Sequence, residues 1–206
     1  MNRKFLTIAA LSGAAFILMT LAQLYAPSVI RAFDVPLAMF VSAFQTYEVT
    51  QAALLVTSLG DVAGIIAIAL GAAFFMRNHP HYIRMLALAL IATTLVANGV
   101  KILVSRSRPE TLLWLEPFLS FSFPSGHATA TMTLFGFLAV AAARLITKGT
   151  GRTLAIGACV LVVALVGASR VMLGAHFLSD VIGGWLLGLT LVALVFSIRH
   201  YSRRQA

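Results

Sequence analysis

The chain has 206 residues, of which 60% are hydrophobic and only 10% are charged. A soluble domain carries about 25% charged residues, so this composition argues against one and indicates an integral membrane protein. The net charge of +9 is explained better by basic cytoplasmic loops than by nucleic-acid binding. No linker or low-complexity tract divides the sequence, so we expect one membrane domain over residues 1–206. The single cysteine, Cys159, lies in an apolar run and allows no intramolecular disulfide.

Six segments are long and apolar enough to cross a bilayer, which needs about 20 mostly apolar residues. They are residues 5–25, 53–76, 84–104, 127–146, 154–172 and 178–198. The first also resembles a signal peptide, but its apolar run is longer than the apolar core of about 7–15 residues in signal peptides, so an uncleaved helix is favoured.

The segment 31–46, between the first and second spans, is too short and too interrupted to cross a membrane. Asp34 and Pro36 break its apolar character early. An interfacial helix is the favoured prediction, and a re-entrant segment is the alternative. The predicted fold is therefore an all-α bundle of six transmembrane helices with an interfacial helix between the first two.

The basic residues predict the orientation of this bundle. An even number of spans places both termini on one side, and ten of the fifteen Lys and Arg residues fall on that side. By the positive-inside rule this side is cytoplasmic. The five on the opposite, outer side are Arg31, Lys101, Arg106, Arg108 and Arg170.

Three of these outer cations stand at helix ends. Lys101 lies near the end of the third span, Arg108 follows seven residues later just before Pro109, and Arg170 lies near the end of the fifth span. If the helix continued to Arg108, both cations would share one face. Each cation alone is explained by snorkelling to the headgroups. Three at one depth on the disfavoured side indicate an anion site, and a phosphate fits it well.

The tetrapeptide Pro124-Ser125-Gly126-His127 opens the fourth span. Pro124 breaks the preceding chain, Ser125 can cap the helix, and Gly126 lets backbone approach a ligand closely. The free N–H groups of this helix start favour a bound anion. A plain helix cap without a ligand is an equally good reading of the tetrapeptide alone.

His176 and Asp180 lie four residues apart at the start of the sixth span, on one helix face. A carboxylate on one imidazole nitrogen fixes the tautomer and leaves the other nitrogen free as a nucleophile. Such a pair is a weak signal alone, but this one accompanies Arg170 and His127 at one membrane depth. Together these residues predict phosphoryl transfer through a phosphohistidine, with His127 as the general acid.

These motifs resemble those of the phosphatidic acid phosphatase type 2 superfamily. That family is marked by Lys-x6-Arg-Pro, Pro-Ser-Gly-His and Ser-Arg-x5-His-x3-Asp. The corresponding residues here are Lys101 to Arg108-Pro109, Pro124 to His127, and Ser169-Arg170 to His176 to Asp180. All three match in order and spacing, over residues 101–180, and the six-span pattern extends the resemblance over nearly the whole chain.

The resemblance implies a role for each matched residue. His176 is the expected nucleophile, Asp180 its partner and His127 the acid, and the expected phosphate ligands are Lys101, Arg108, Ser125, Gly126 and Arg170. The implied activity is a lipid phosphatase. No cofactor is expected, and the presence of only six acidic residues in the chain predicts catalysis without a metal ion. Its leading substrate is undecaprenyl diphosphate, followed by phosphatidylglycerophosphate or phosphatidate, and a lipid phosphotransferase or lipid A phosphatase is the alternative.

The expected partners and location follow from the same resemblance. The partners are the lipid substrate and the surrounding membrane lipids, with no nucleic acid and no obligate protein partner. The short chain and small loops are typical of bacteria, which predicts a multi-pass protein of the inner membrane with its site on the periplasmic or extracellular face.

Several residues keep two interpretations. Asp61 either pairs with a site arginine or touches the substrate, and simple structural pairing is favoured. The aromatic residues of the 110–123 loop either cover a lipid tail or form an interfacial belt; they are Trp114, Phe118, Phe121 and Phe123. The alternating Thr129, Thr131 and Thr133 predict helix–helix packing.

A transporter is the rival function from a different class, because buried His, Asp and Arg residues can form a proton relay or an anion path. The ionisable residues cluster at one end of the spans and not at the midplane, which counts against this alternative.

The predicted topology can be tested by labelling. A Glu116→Cys substitution in a Cys159→Ala background should react with an impermeant thiol reagent in intact spheroplasts, because residue 116 lies on the predicted outer face. Labelling that appears only after lysis would reverse the topology.

Overall fold

The protein is described by a computed structural model that covers residues 2–109 and 120–198. Within these ranges the chain forms eight α-helices and no strand, which confirms the all-α prediction. The helices are α1 (Arg3–Tyr25), α2 (Pro27–Ser42), α3 (Tyr47–Thr57), α4 (Val62–Phe75), α5 (Pro80–Val104), α6 (Gly126–Leu145), α7 (Thr150–Met172) and α8 (Leu178–Ile198). Three residues for which the sequence made predictions, Trp114, Glu116 and Phe118, lie outside the described residues.

Five helices match predicted spans. Helices α1, α5, α6, α7 and α8 have 20 to 25 residues and are apolar enough to cross a membrane. At 1.5 Å per residue a 20-residue helix is about 30 Å long, the thickness of a bilayer's hydrocarbon core. The predicted bounds of these five spans agree with the structure to within four residues at each end.

The second predicted span, residues 53–76, is not one continuous helix. It is interrupted by a short 3-10 helix at Ser58–Gly60 and by Asp61, whose extended backbone precedes α4. Helix α4 has 14 residues, so it is only about 21 Å long. Helix α2 and the segment Tyr47–Gly60 meet at 119°. By length and composition the described residues therefore provide five spans, or six if this bent pair counts as one.

Close packing explains the break in the second span. A Cβ atom at Gly60 would lie 2.9 Å from Val166 and 3.0 Å from the ring of His127. The glycine therefore lets the backbone between α3 and α4 pass directly against α6 and α7. The apolar character of residues 53–76 hid this break, because hydropathy reports burial in lipid and not the continuity of a helix.

Helix α2 corresponds to the predicted interfacial helix but begins four residues earlier, at Pro27. Proline is favourable at the first helical position, because the N–H group that it lacks would have no intrahelical partner there. Asp34, which the sequence suggested as an interruption, lies inside the helix and is buried.

Helix α8 occupies the centre of the bundle and packs against α1 and α6. Gly184 and Gly188 allow the close approach of α6, because a Cβ atom at either position would lie 2.8 Å from a carbonyl oxygen of that helix or its cap. The predicted packing role of the threonines of α6 is confirmed. All three are fully buried, and Thr133 exchanges a 2.8 Å hydrogen bond with Thr93 of α5.

The segment before α6 is anchored by Phe123. This ring is fully buried, stacks on Phe16 of α1 with centroids 6.0 Å apart, and lies against Gly183 of α8. Both interpretations of Phe123 from the sequence, a lipid-tail cover and an interfacial belt, were therefore wrong. Burial of Phe123 instead fixes the position of the Pro-Ser-Gly-His turn relative to α1 and α8.

We predict that Gly184→Ala destabilises the protein, because the added methyl group would collide with backbone at the start of α6. Overpacking of this kind costs about 1–3 kcal/mol, which should lower the melting temperature in detergent by several degrees. Gly157→Ala is the matched control, since a Cβ atom there meets nothing within 4 Å. Equal melting temperatures for the two variants would contradict this packing argument.

Candidate active site

The eight residues that the sequence proposed for the site lie at one end of the bundle, where four helices meet. Lys101 is in the last turn of α5 and Arg170 in the last turn of α7, whereas α6 and α8 begin there. Helix α5 ends at Val104, and Ser105 adopts a left-handed backbone with φ of 47°. Arg108 therefore does not continue the helical face of Lys101, as one sequence argument assumed, but reaches the site from a loop.

His176 lies in the turn between α7 and α8 with only 3% of its surface exposed. Its Nε2 is 3.1 Å from Nη1 of Arg108. Because a guanidinium only donates hydrogen bonds, Nε2 must carry a lone pair. The proton then resides on Nδ1, which faces Asp180 Oδ2 at 3.6 Å and Ser122 Oγ at 3.4 Å. This is the tautomer that a nucleophilic Nε2 requires.

Burial lowers the pKa of His176 to about 3; nearby Asp180 opposes this shift, and Arg108 and Arg170 reinforce it. A histidine whose pKa is lowered stays neutral above that pKa, so the imidazole is uncharged throughout the physiological pH range. Only the neutral form has a lone pair for attack. The environment therefore keeps His176 in the neutral state that a nucleophilic role would need.

Asp180 is fully buried and its carboxylate accepts three hydrogen bonds. Nη1 of Arg106 donates to Oδ1 at 2.6 Å, and Oδ2 accepts from Ser122 Oγ at 2.5 Å and from the Phe177 N–H at 2.9 Å. The sequence argument missed Arg106 and Ser122 as members of the site. The only available signal for Arg106 was that it is a further cation on the disfavoured side of the membrane.

The three cations assigned to phosphate binding lie close enough together to repel one another electrostatically. Lys101 donates to the Phe121 carbonyl at 2.6 Å, and Arg170 donates to Thr57 Oγ1 at 2.8 Å. Among the residues that the structure describes, neither cation has a carboxylate within 4.0 Å. The buried Nε of Arg170 also has no hydrogen-bond acceptor among these residues. Mutually repelling, desolvated cations with an unused donor form a site suited to an anion.

The start of α6 adds backbone donors to this cation cluster. Ser125 is the N-cap residue, and its own N–H donates to the Asp180 carbonyl at 3.0 Å. The N–H groups of the following first turn have no intrahelical acceptor. A Cβ atom at Gly126 would meet no described atom within 4 Å, so a ligand can approach the backbone there.

Asp61 pairs with His127, a partner that neither alternative from the sequence included. Oδ1 of Asp61 is 2.6 Å from Nε2 of His127, and no ion pair between Asp61 and an arginine occurs among the described residues. The carboxylate orients the imidazole and holds a proton at Nε2. Both side chains retain solvent access, 23% for His127 and 51% for Asp61, as a group that exchanges protons with water requires.

An apolar groove leads away from the site between α4 and α5. Its volume is about 790 Å³, and it begins at Asp61, Lys101 and His127. It continues past Leu86 and Leu90 to Ile83 of α5. From Lys101 to Ile83 the helix rises about 27 Å, so the groove extends along most of a membrane span.

Comparisons with known proteins place this arrangement in a family. The model of the PAP2 superfamily matches residues 82–204. Phosphatidylglycerophosphatase B of Bacillus subtilis is 36% identical over 115 residues, which are 54% of this chain and 55% of that protein. Decaprenylphosphoryl-5-phosphoribose phosphatase of Mycobacterium tuberculosis is 34% identical over 140 residues, which are 66% of this chain and 72% of that protein.

The solved structures support the same fold. The transmembrane PAP2 type phosphatidylglycerolphosphate phosphatase of Bacillus subtilis superimposes with a TM-score of 0.83, covering 96% of this chain and 98% of that one, at 24% identity. LpxE of Aquifex aeolicus gives a TM-score of 0.66 over 80% of this chain and 94% of its own, at 21% identity. Because the family model covers more than half of the chain, the protein belongs to the PAP2 superfamily.

Proposed function

We propose that the protein hydrolyses a lipid phosphate or diphosphate at the outer face of the bacterial inner membrane. The observation that carries this proposal is the position of the cation cluster at the head of an apolar groove. Undecaprenyl diphosphate is the leading substrate, followed by phosphatidylglycerophosphate or phosphatidate. The names of the relatives, which include a phosphatidylglycerophosphatase and a decaprenyl-linked phosphatase, support a lipid phosphate without selecting one.

The proposed reaction has two steps. In the first, Nε2 of His176 attacks phosphorus, and the bond between phosphorus and the leaving oxygen breaks. Protonated His127 gives that oxygen the proton of Nδ1, while its Nε2–H stays bonded to Asp61. In the second, His127 takes a proton from water, whose oxygen attacks the phosphohistidine and releases inorganic phosphate and neutral His176. For a diphosphate the first leaving group is the lipid monophosphate.

Cations and helix dipoles supply the charge stabilisation in both steps. Lys101, Arg108 and Arg170 would meet the three outer oxygens of the transferring group, and the start of α6 adds backbone donors. This set performs the role that metal ions have in other phosphatases. We therefore propose catalysis without a metal or other cofactor.

The groove supports a lipid in preference to a soluble ester. Beyond Asp61, Lys101 and His127 at its head, its lining is almost entirely aliphatic, with Thr93, Thr94 and Asn98 as polar exceptions. A hydrocarbon chain buried along it gains about 0.8 kcal/mol per CH₂ group removed from water, although a chain already in the bilayer gains much less. The groove therefore acts mainly by aligning the lipid so that its headgroup meets the cations.

A lipid phosphotransferase remains the alternative within the same chemistry, because a phosphohistidine can pass its phosphoryl group to an acceptor other than water. A small transporter is the alternative from another class. The His176–Asp180 pair and the cations lie at one end of the helices, whereas a transporter that works by alternating access would place such residues near the midplane of the membrane. This placement favours catalysis.

We predict that His176→Ala lowers phosphate release by at least about 10³-fold, because loss of a nucleophile commonly costs several orders of magnitude. Asp180→Asn should be milder, since it leaves the nucleophile and loosens its orientation. The assay uses purified protein in detergent with excess EDTA, and a phosphoenzyme formed from labelled lipid phosphate should be acid-labile, as a phosphohistidine is.

The matched control for this experiment is His79→Ala, at an exposed histidine at the opposite end of α5, which should behave as wild type. Folded His176→Ala protein with near wild-type turnover would refute the mechanism. Loss of wild-type activity in EDTA that added Mg²⁺ restores would refute metal-independent catalysis.

We also predict that filling the groove selects against long lipids. Ala87→Phe places a ring in the groove, so kcat/KM for a long-chain lipid phosphate should fall about tenfold, the cost of roughly 1.4 kcal/mol. A short-chain analogue should be unaffected. Leu88→Phe is the control, because Leu88 is exposed on α5 but does not line the groove. Equal losses for both chain lengths would place the lipid elsewhere.

A further inference from the structure

A buried chain of charged side chains connects helix α2 to the His176–Asp180 pair. We infer that Arg106 and Asp34 are positioning residues, which hold the Asp180 carboxylate in the orientation that His176 needs for attack. The inference rests on the proposed function, because it takes His176 as the nucleophile.

Arg106 is the central member of this chain. Its Nη1 donates to Asp180 Oδ1 and to Ser179 Oγ, both at 2.6 Å, and its Nη2 donates to Asp34 Oδ2 at 2.7 Å. The guanidinium carbon also lies 4.5 Å from the centroid of the Phe177 ring. Contacts on its edge and its face therefore fix the guanidinium plane, and with it the direction from which Asp180 is held.

Asp34 completes the arrangement from α2. Its Oδ1 accepts from the Ser179 N–H at 3.1 Å, and its Oδ2 accepts from the Ser179 hydroxyl. A carboxylate at this place also benefits from the positive end of the α8 dipole. Asp34 thus holds the first turn of α8, which carries Asp180, and at the same time orients Arg106.

The burial of the three charges explains why they must act together. Asp34, Arg106 and Asp180 are 4%, 8% and 0% exposed. Removal of Arg106 would leave two carboxylates buried without their shared cation, and an uncompensated buried charge is costly. Each side chain therefore depends on the other two for its position.

Arg106 differs from the cations assigned to phosphate. Both of its terminal nitrogens already donate to carboxylates, whereas Arg170 retains a buried Nε–H with no acceptor among the described residues. Arg106 therefore acts through Asp180 and not on the phosphoryl group. Its loss should reduce kcat and leave the binding of substrate and inorganic phosphate nearly unchanged.

A double-mutant cycle tests this inference. We expect Arg106→Gln to lower kcat by up to about 100-fold and Asp34→Asn by less, as replacement of a residue that orients a reactive group commonly costs 10–100-fold. Arg106→Lys should recover part of the loss, because it keeps the charge. The double variant should lose less than the two single losses combined, since once Arg106 is gone Asp34 has no cation to orient and acts only through Ser179.

The controls separate positioning from other roles. Arg31→Gln removes an exposed cation of α2 that does not belong to the buried series Asp34–Arg106–Asp180. This variant should leave kcat unchanged. KM for the lipid phosphate and the inhibition constant of inorganic phosphate should stay within about twofold of wild type in all variants, because ligand contacts are intact. Additive losses in the cycle, or a rise in KM and in the phosphate inhibition constant, would overturn the inference.

Two further measurements keep the test decisive. If Arg106→Gln does not fold, Arg106→Lys and Asp34→Asn must still reduce kcat per folded molecule. The number of folded sites is counted from the stoichiometry of vanadate binding. An unchanged kcat in these two variants would overturn the inference. If the wild-type protein releases no phosphate from any lipid, the proposed function fails. Vanadate affinity by calorimetry then decides the inference. Vanadate, unlike inorganic phosphate, mimics the five-coordinate transition state and bonds to the attacking Nε2, so its affinity should weaken in Asp34→Asn but not in Arg31→Gln.

Discussion

The buried carboxylate of Asp180 is the feature on which the arrangement of the site depends. A charge removed from water inside a helix bundle is tolerated only when donors surround it. Here the donors come from the loop after α5, from the segment before α6 and from the turn before α8. The need to satisfy one carboxylate therefore draws three separate parts of the chain together, and His176 lies at their junction.

Three cations near this carboxylate pose the opposite electrostatic problem. Lys101, Arg108 and Arg170 are partly or largely desolvated and repel one another, and no carboxylate lies within 4.0 Å of Lys101 or Arg170 in the described part of the chain. Asp180 is close enough to moderate the charges of Lys101 and Arg108, although Arg106 already binds one of its oxygens. Arg106 is thus committed to carboxylates, whereas Lys101 and Arg170 have none within 4.0 Å among the residues that the structure describes.

Sequence patterns predicted the parts of this protein that depend on local spacing. Five spans follow from hydropathy. The four-residue spacing predicted that His176 and Asp180 meet, but the expected shared helix face was wrong, because His176 lies in the turn before α8. The pattern could not show that Asp34 reaches Arg106, because that contact depends on how α2 docks against α8. The burial of Ser122 and Phe123 could not be predicted either, since it follows from the path of an irregular segment. Arg106 lay between two motif residues without any feature of spacing to distinguish it.

The break in the second span shows how a local departure from regular structure connects the site to the bilayer. A continuous helix over residues 53–76 would have no N-terminus at Asp61 and no close contact of Gly60 with His127. Because the chain is interrupted at that point, Asp61 is free to hold the imidazole of His127, and α4 starts at the same depth as the cations. The groove between α4 and α5 consequently opens directly at His127. In the reaction that we propose, a lipid aligned by that groove would present its leaving oxygen to His127 and its phosphorus to His176, so the break would couple the membrane to the chemistry.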